Sequence, residues 1–197
     1  MKRLFLILIL TFSFQSWTKG EDITDIEIEG ITVGDSLLNY LSETEINKNK
    51  NFIYDSKKFY SLSFGKETKS LKTYDDVQFL IKNNDKKYII YSITGRLFYY
   101  NNIDDCYKKK NEIVIDLSSI LENVTKKDWG KSKFFENSSD DSTVSVVYFY
   151  FKSGGTIKVA CYDWSKEKEE EKGVSDGLGV IINSKEFAEF LMNEAYK

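Results

Sequence analysis

The clearest fold signal in this chain lies in residues 144–164, which read Val144-Ser-Val-Val-Tyr-Phe-Tyr-Phe151, Lys152-Ser-Gly-Gly155 and Thr156-Ile-Lys-Val-Ala-Cys-Tyr-Asp-Trp164. The first and last parts are rich in β-branched and aromatic residues, and Ser153-Gly154-Gly155 supplies the turn of a hairpin between them. Val144–Phe151 is apolar on both faces, which predicts a central strand that is covered on both sides. An antiparallel hairpin is therefore the centre of the predicted fold.

Further strands and three helices surround this hairpin in the sequence. Apolar residues after Asn102 recur with helical spacing and predict one long helix at about 103–124. The polar stretch Thr125–Ser142 is predicted to be a loop. We expect an α+β fold, a mainly antiparallel sheet of hairpins packed by this long helix, a short N-terminal helix after Gly34 and a C-terminal helix after Ser184. The other predicted strands are Phe59–Phe64, Asp76–Ile81, Tyr88–Thr94, Arg96–Tyr100 and Gly177–Ile182.

The N-terminus has the pattern of a secretory signal peptide. Lys2 and Arg3 precede the apolar run Leu4–Phe14, and small or polar residues follow up to Gly20. Basic, apolar and small residues in this order are typical of such a peptide, and we expect cleavage near Gly20, with Thr18 as the alternative. An uncleaved membrane anchor is the other interpretation. A membrane span takes about 20 apolar residues, however, and the run Leu4–Phe14 is shorter than that.

Removal of residues 1–20 leaves a single predicted domain, 21–197, in a periplasmic or secreted location. No later apolar run is long enough for a membrane span, so we expect no membrane association after cleavage. The three basic residues of the removed segment take the formal net charge from −3 to −6. Such a chain lacks the basic face that nucleic-acid binding usually needs, and we expect no nucleic-acid partner.

The two cysteines lie in different predicted elements. Cys106 belongs to the apolar stripe of the long helix, and Cys161 to the apolar face of the strand at 156–164. In an oxidising compartment, two cysteines in one domain most simply form one disulfide, and we predict Cys106–Cys161. Two unpaired buried thiols are the alternative. A catalytic thiol would need a base, and the chain contains no histidine.

Gly34-Asp35-Ser36-Leu37 spells the signature of a serine hydrolase family. In that family the serine is the nucleophile, and a downstream Asp-x-x-His supplies the base. This chain has no histidine, so Ser36 would be a poor nucleophile. We expect instead that Gly34 makes a turn and that Asp35 or Ser36 caps the following helix. The prediction is that the protein is not an enzyme and has no catalytic residue.

Metal and cofactor sites are not predicted either. Zinc sites usually use histidine and cysteine, and here histidine is absent and the cysteines are expected to be paired. Calcium needs only oxygen ligands, but the acidic clusters have no spacing of a known calcium loop. We therefore predict no metal and no cofactor.

Aromatic residues are concentrated in the predicted strands. Alternation places neighbouring rings of one strand on opposite faces of the sheet. One face must belong to the core, whereas the other is either an exposed platform for a sugar or peptide or the underside of a helix layer. The helix layer is the favoured interpretation. The residues of the possible aromatic binding face are Tyr99, Tyr148, Tyr150, Tyr162 and Trp164.

Several stretches of the chain resemble a family of uncharacterised small exported proteins of marine alphaproteobacteria of the SAR11 type. The resemblance implies a periplasmic or secreted bacterial protein, and it implies no activity, substrate or catalytic residue. The resembling stretches, which extend over nearly the whole chain, are Ser16–Thr18, Ile28–Tyr40, Asn84–Ile90, Asn102–Tyr107, Cys161–Trp164 and Ser184–Phe190.

Three functional hypotheses follow. The first is a non-enzymatic binding module for a protein, a peptide or an envelope component. The second is a carbohydrate-binding module with an aromatic face, and the third is a histidine-free hydrolase that works through carboxylates. An exposed apolar patch would favour the first, coplanar exposed rings the second, and a pocket with two carboxylates within about 10 Å the third.

Overall fold

The computed structural model describes residues 20–67, 71–100, 102–134 and 139–196. The predicted signal peptide, residues 1–20, lies outside these ranges except for Gly20. Within the described ranges, no helix is both long enough and apolar enough to cross a membrane. The cleavage site and the location of the protein therefore stay predictions.

Nine strands and four α-helices follow one another along the described chain. The strands are β1 (Glu27–Ile28), β2 (Ile31–Thr32), β3 (Phe59–Gly65), β4 (Asp76–Lys82), β5 (Ile90–Phe98), β6 (Val124–Lys133), β7 (Thr143–Phe151), β8 (Thr156–Asp163) and β9 (Gly177–Asn183). The helices are α1 (Glu43–Lys48), α2 (Ile103–Ile120), α3 (Lys166–Lys172) and α4 (Lys185–Asn193). β1 and β2 form a small sheet, and the other strands form one sheet in the order β3-β4-β5-β9-β8-β7-β6. Every neighbouring pair is antiparallel, which confirms the predicted α+β fold.

Helix α2 covers one face of the large sheet and forms the main core with it. Its buried residues Cys106, Val114 and Leu117 recur at helical spacing and face β8 and β9. Complete burial of a leucine or valine side chain stabilises a fold by about 1.5–3 kcal/mol. Cys106 forms the predicted disulfide with Cys161 of β8, with 6.0 Å between the Cα atoms. Closing a loop of this length contributes roughly 4 kcal/mol by restricting the unfolded chain.

Helix α4 covers only one end of the opposite face. The hydroxyl of Ser184 accepts a hydrogen bond from the Phe187 backbone N–H at 3.2 Å and so starts the helix. Phe187 and Phe190 close over Phe59 of β3 and Leu80 of β4 in a second buried cluster. On this face α4 leaves an open part of the sheet, where the larger side chains stay at least partly exposed: Tyr148 and Tyr150 of β7, Lys158 and Tyr162 of β8, and Ile181 of β9.

The prediction was wrong between residues 121 and 133. α2 ends at Ile120 rather than near residue 124, and the strand β6 occupies the first part of the predicted loop Thr125–Ser142. β6 is the edge strand, and its residues after Val124 are exposed. A strand without a buried face has no reason to alternate apolar and polar residues, and lysines on an edge discourage pairing with other chains. Its sequence therefore resembles that of a loop.

Strand β5 joins two segments that the sequence separates, Tyr88–Thr94 and Arg96–Tyr100. Gly95 between them lies inside the strand, where a Cβ atom would be 2.7 Å from the Tyr74 ring. The glycine makes room for this ring on the sheet and does not break the strand.

Strand β7 differs from the predicted strand that is covered on both sides. It lies next to the edge strand β6, and its residues Val147 and Phe149 are buried toward α2. On the opposite face, Tyr150 is 37% exposed. The rings that suggest a second core in the sequence therefore line an accessible surface.

Gly20, the first described residue, is bound to the fold through its backbone. Its backbone N–H donates to the Ile120 carbonyl at 3.1 Å, and its carbonyl accepts from the Glu122 N–H at 3.1 Å. Three residues later, Ile23 is buried beside Gly155 in the turn between β7 and β8. The last residue of the predicted signal peptide is thus bound to the end of α2.

Candidate functional site

The open part of the sheet carries a long concavity. Two adjoining cavities, of about 670 Å³ and about 510 Å³, share Gln78, Thr94 and Ile181 and form one depression, which we call the sheet groove. Its floor is β9, and its walls are the side chains that rise from β5 and β8. Each volume lies within the usual range of ligand pockets, about 300–1,000 Å³.

Strand register brings side chains from five strands into one row across the sheet groove. Directly paired residues of antiparallel strands point to the same face. An amide, a hydroxyl, an aliphatic group, an ammonium and a phenol therefore lie side by side. The row runs through Gln78, Thr94, Ile181, Lys158 and Tyr148, each paired with the next.

The depth of the groove comes from two glycines of β9. A Cβ atom at Gly177 would lie 2.8 Å from the Leu97 carbonyl oxygen, so this position excludes a side chain. At Gly179 a Cβ atom would meet the Tyr162 ring at 3.4 Å, which is ordinary van der Waals contact. A Cβ atom would also lie 3.4 Å from Ile181 Cδ1, so a larger side chain at Gly179 would compete with Ile181 and Tyr162 for the space of the groove.

Aromatic rings line the groove on the side of β7 and β8. Tyr162 and Trp164 are stacked with 5.8 Å between their centroids and 6° between their planes, and Tyr148 and Tyr150 are stacked at 5.5 Å and 19°. Phe134 contacts Trp164 edge-on at 4.8 Å. Offset stacking of this kind is the favoured geometry of aromatic pairs. The rings thus form a preassembled apolar wall.

Tyr99 does not belong to this surface, although the other four residues of the predicted aromatic face do. It packs against the core on the α2 side, and burial raises the pKa of its phenol. Phe98 and Tyr100, its neighbours in the chain, line the groove instead, with 5.8 Å between their rings. The face that each ring occupies depends on the pairing of Phe98 with Gly177, which the sequence does not reveal.

Lys158 brings a positive charge to the middle of the groove. Its Nζ lies 5.2 Å from the centroid of the Tyr162 ring and 5.9 Å from that of Tyr148. Burial acts to lower the pKa of Lys158, but the two neighbouring phenols outweigh it, and the pKa is raised. The side chain is therefore an ammonium at neutral pH.

Arg96 is the other charged residue among the described residues that line the groove. Its guanidinium donates to the Asp76 carboxylate at 2.6 Å and to the Gln78 amide oxygen at 2.8 Å. Burial raises the pKa of Asp76 although Arg96 opposes the effect. The charge of Arg96 is thus balanced within the protein.

Ser36 lies in the N-terminal part of the fold, away from the residues that line the groove. Its hydroxyl caps the turn Leu37–Asn39 by accepting from the Leu38 N–H at 3.3 Å, and it donates to the Lys87 carbonyl at 2.7 Å. Gly34 has a φ of 99°. The predicted turn and cap are confirmed, and the lack of hydrolase activity stays a prediction.

Sequence reasoning missed a contact between Lys110 and Ser145. Lys110 Nζ lies 2.5 Å from Ser145 Oγ, and each residue is 6% exposed beneath α2. Burial lowers the pKa of Lys110. The available signal was its position four residues after Cys106, on the buried stripe of the helix. Because α2 covers both groups, a substrate has no access to them.

The groove holds no candidate metal centre in the described part of the chain, where no three histidine, cysteine, aspartate or glutamate side chains come together. Comparisons of the chain with protein-family models, curated proteins and solved structures give no match. The geometry of the groove is therefore the basis for its function, and the resemblance to exported proteins of the SAR11 type stays a prediction.

Proposed function

We propose that this protein is a non-enzymatic binding module that holds an extended peptide segment of another protein in the sheet groove. The observation that carries the proposal is an open trough with a glycine floor and aromatic walls. β9 extends over seven residues, which corresponds to roughly 20 Å at about 3.3 Å per residue. An extended peptide of about six residues has the same length.

The width of the groove favours a single extended chain. β5 and β8 flank β9, and neighbouring strands lie about 4.8 Å apart, so the strands beneath the two walls are roughly 10 Å apart. Side chains rise from both strands and narrow this space. An α-helix with its side chains is about 10–12 Å wide and does not fit between them.

The orientation of the rings favours a peptide over a sugar. A sugar binds best on a flat, open ring face. In the pairs Tyr162–Trp164 and Tyr148–Tyr150 the rings face each other, so part of each face is covered. Such pairs form a wall against which aliphatic or aromatic side chains can pack. Carbohydrate binding remains the second candidate because the rings line an open concavity.

The groove lining gives no support to the carboxylate-based hydrolase. Among the described residues that line it there is no aspartate and no glutamate. A carboxylate pair about 5–10 Å apart is what a glycosidase would need. The binding hypothesis needs no such groups.

We further propose that the protein works in the periplasm or outside the cell. The basic and apolar N-terminal sequence supports export. The Cys106–Cys161 disulfide is compatible with an oxidising compartment, where such bonds persist.

Filling the groove tests the proposed function. Gly179→Leu places a side chain on the groove floor, whereas Asn111→Leu places the same side chain on the exposed surface of α2 and serves as the control. Displayed libraries of linear peptides of about seven residues are selected on the wild-type protein. We expect the selected peptides to bind Gly179→Leu at least about tenfold more weakly and the control equally well.

Two results would contradict the peptide proposal. One is the absence of any selected peptide that distinguishes Gly179→Leu from the wild type. The other is binding to a glycan array that Gly179→Leu abolishes, which would establish the carbohydrate alternative.

A further inference from the structure

Lys158 occupies the centre of the proposed peptide site. Register pairs it with Ile181 on the groove floor and with Tyr148 in the aromatic wall. The Tyr162 ring lies on its other side, with its centroid 5.2 Å from the ammonium. The ammonium of Lys158 therefore lies against aromatic rings within the groove.

In the described chain no carboxylate lies within ion-pair distance of Lys158. Its ammonium lies over the Tyr148 and Tyr162 rings and is hydrogen-bonded to these tyrosines, and such neutral phenols attract a cation but carry no negative charge. The nearby Arg96 already binds Asp76. Withdrawing an ammonium from water costs free energy unless an anion compensates it. Among the described residues, Lys158 thus has phenols but no carboxylate beside it, and an acidic ligand group could pair with its ammonium.

The overall charge of the protein would not attract an anionic ligand to this place. The chain has a formal net charge of −3, so its long-range field repels anions. A carboxylate would therefore be attracted only at short range, by the ammonium of Lys158 within the groove. A binding site of this kind selects a ligand by one close contact rather than by general electrostatic steering.

We infer that the sheet groove binds acidic peptides, with an aspartate or glutamate side chain of the peptide paired to Lys158. The inference rests on the proposed function and names the class of its partner. In an extended peptide, alternate side chains point the same way. Residues two places before and after the acid then point toward the Tyr162–Trp164 wall and toward the α4 end of the groove, which Leu191 and Met192 line. The expected pattern is apolar-x-acid-x-apolar.

Two matched peptide libraries test this inference. Both libraries consist of peptides of about seven residues, with all positions except the central one mixed identically. The central residue is Asp or Glu in one library and Asn or Gln in the other. Each is selected on the wild type and on Lys158→Met, which keeps the length of the side chain and removes the charge. Lys127→Met is the control, because Lys127 faces the same side from the edge strand and its ammonium lies over Trp129.

We expect peptides of the acidic library to bind Lys158→Met at least about tenfold more weakly than the wild type and Lys127→Met within about twofold. Replacing the central acid of a bound peptide by its amide should weaken binding to the wild type by a similar factor and leave binding to Lys158→Met unchanged. Thermal unfolding of each variant verifies that it is folded.

The outcomes separate the two proposals. If both libraries bind equally well and only Gly179→Leu abolishes binding, the groove binds peptides but the preference for acids is wrong. If the acidic peptides bind Lys158→Met as tightly as the wild type, the inference is also wrong. If neither library binds the wild type, both proposals fail.

Discussion

At the scale of single residues, Lys110 is a cation whose surroundings oppose its charge. It is buried beneath α2, and its Nζ contacts the Ser145 hydroxyl. Burial lowers its pKa from the ordinary value of 10.5. Between the lowered pKa and 10.5 the unfolded chain binds more protons than the native protein, so the free energy of unfolding rises with pH in that range. Below that pH range Lys110 is charged in the native protein, and this buried charge destabilises the fold.

Replacing Lys110 by methionine should remove this pH dependence. We expect the free energy of unfolding of the wild type to rise more steeply with pH than that of Lys110→Met in the range between the lowered pKa and 10.5. Urea denaturation at several pH values measures both slopes. Lys109→Met is the control, since Glu112 raises the pKa of that exposed lysine. Equal slopes for the wild type and Lys110→Met would contradict the prediction.

At the scale of elements, one carboxylate joins the small sheet to the segment before β4. Glu29, in the turn between β1 and β2, accepts hydrogen bonds from the backbone N–H groups of Lys72, Thr73 and Tyr74 at 2.8, 2.7 and 2.9 Å. Burial opposes ionisation, but these hydrogen bonds outweigh it and lower the pKa of Glu29 below 4.5. The stabilisation is present above pH 4.5 and is lost as the pH falls through the lowered pKa.

The variant Glu29→Gln should lower the free energy of unfolding at neutral pH by about 1–3 kcal/mol, because hydrogen bonds to a charged acceptor are stronger than those to an amide. The difference from the wild type should shrink on acidification below about pH 4. Glu27→Gln, on the exposed side of β1, is the matched control. A loss of stability that is independent of pH would show that the charge of Glu29 is not the cause.

The elements that could be predicted are those whose faces differ in polarity. The stripe of α2, the cap at Ser184 and the positions of Cys106 and Cys161 follow from spacing alone, and all are confirmed. β6 could not be predicted because both of its faces are exposed.

The candidate site was predictable only in part. Alternation groups Tyr162 with Trp164 and Tyr148 with Tyr150, but it does not tell which ring of the segment 98–100 joins them. That depends on the pairing between β5 and β9, residues about eighty positions apart in the chain. The place of Lys158 in the groove depends on the same long-range register and on the limited reach of α4.

At the scale of the whole molecule, the fold bears on the proposed cleavage site of the predicted signal peptide. Gly20 makes two backbone hydrogen bonds to the chain at the end of α2. The sequence alone favours cleavage near Gly20, but because Gly20 is bound to the fold we propose the alternative, cleavage after Thr18, with Ser16 and Thr18 as the small residues before the cut and Lys19 as the first residue of the mature protein. N-terminal sequencing of the exported protein measures this directly. A mature chain that begins at Glu21 would contradict the prediction.

A comparison of two purified chains provides a second measurement. A chain that starts at Glu21 lacks both hydrogen bonds of Gly20, each of which contributes about 0.5–1.5 kcal/mol. It should unfold at lower urea concentration than a chain that starts at Lys19. Equal stability would show that Gly20 is dispensable for the fold.

The position of β9 determines when the sheet groove can form. β3, β4 and β5 pair in chain order, as do β6, β7 and β8, so each set can assemble from near neighbours in the sequence. β9 comes last in the chain and lies between the two sets. Contacts between distant segments form slowly because a long loop must close first. Of the described strands, the one that forms the groove floor is therefore the last to join the sheet, and the sheet groove is incomplete until β9 has paired with both β5 and β8.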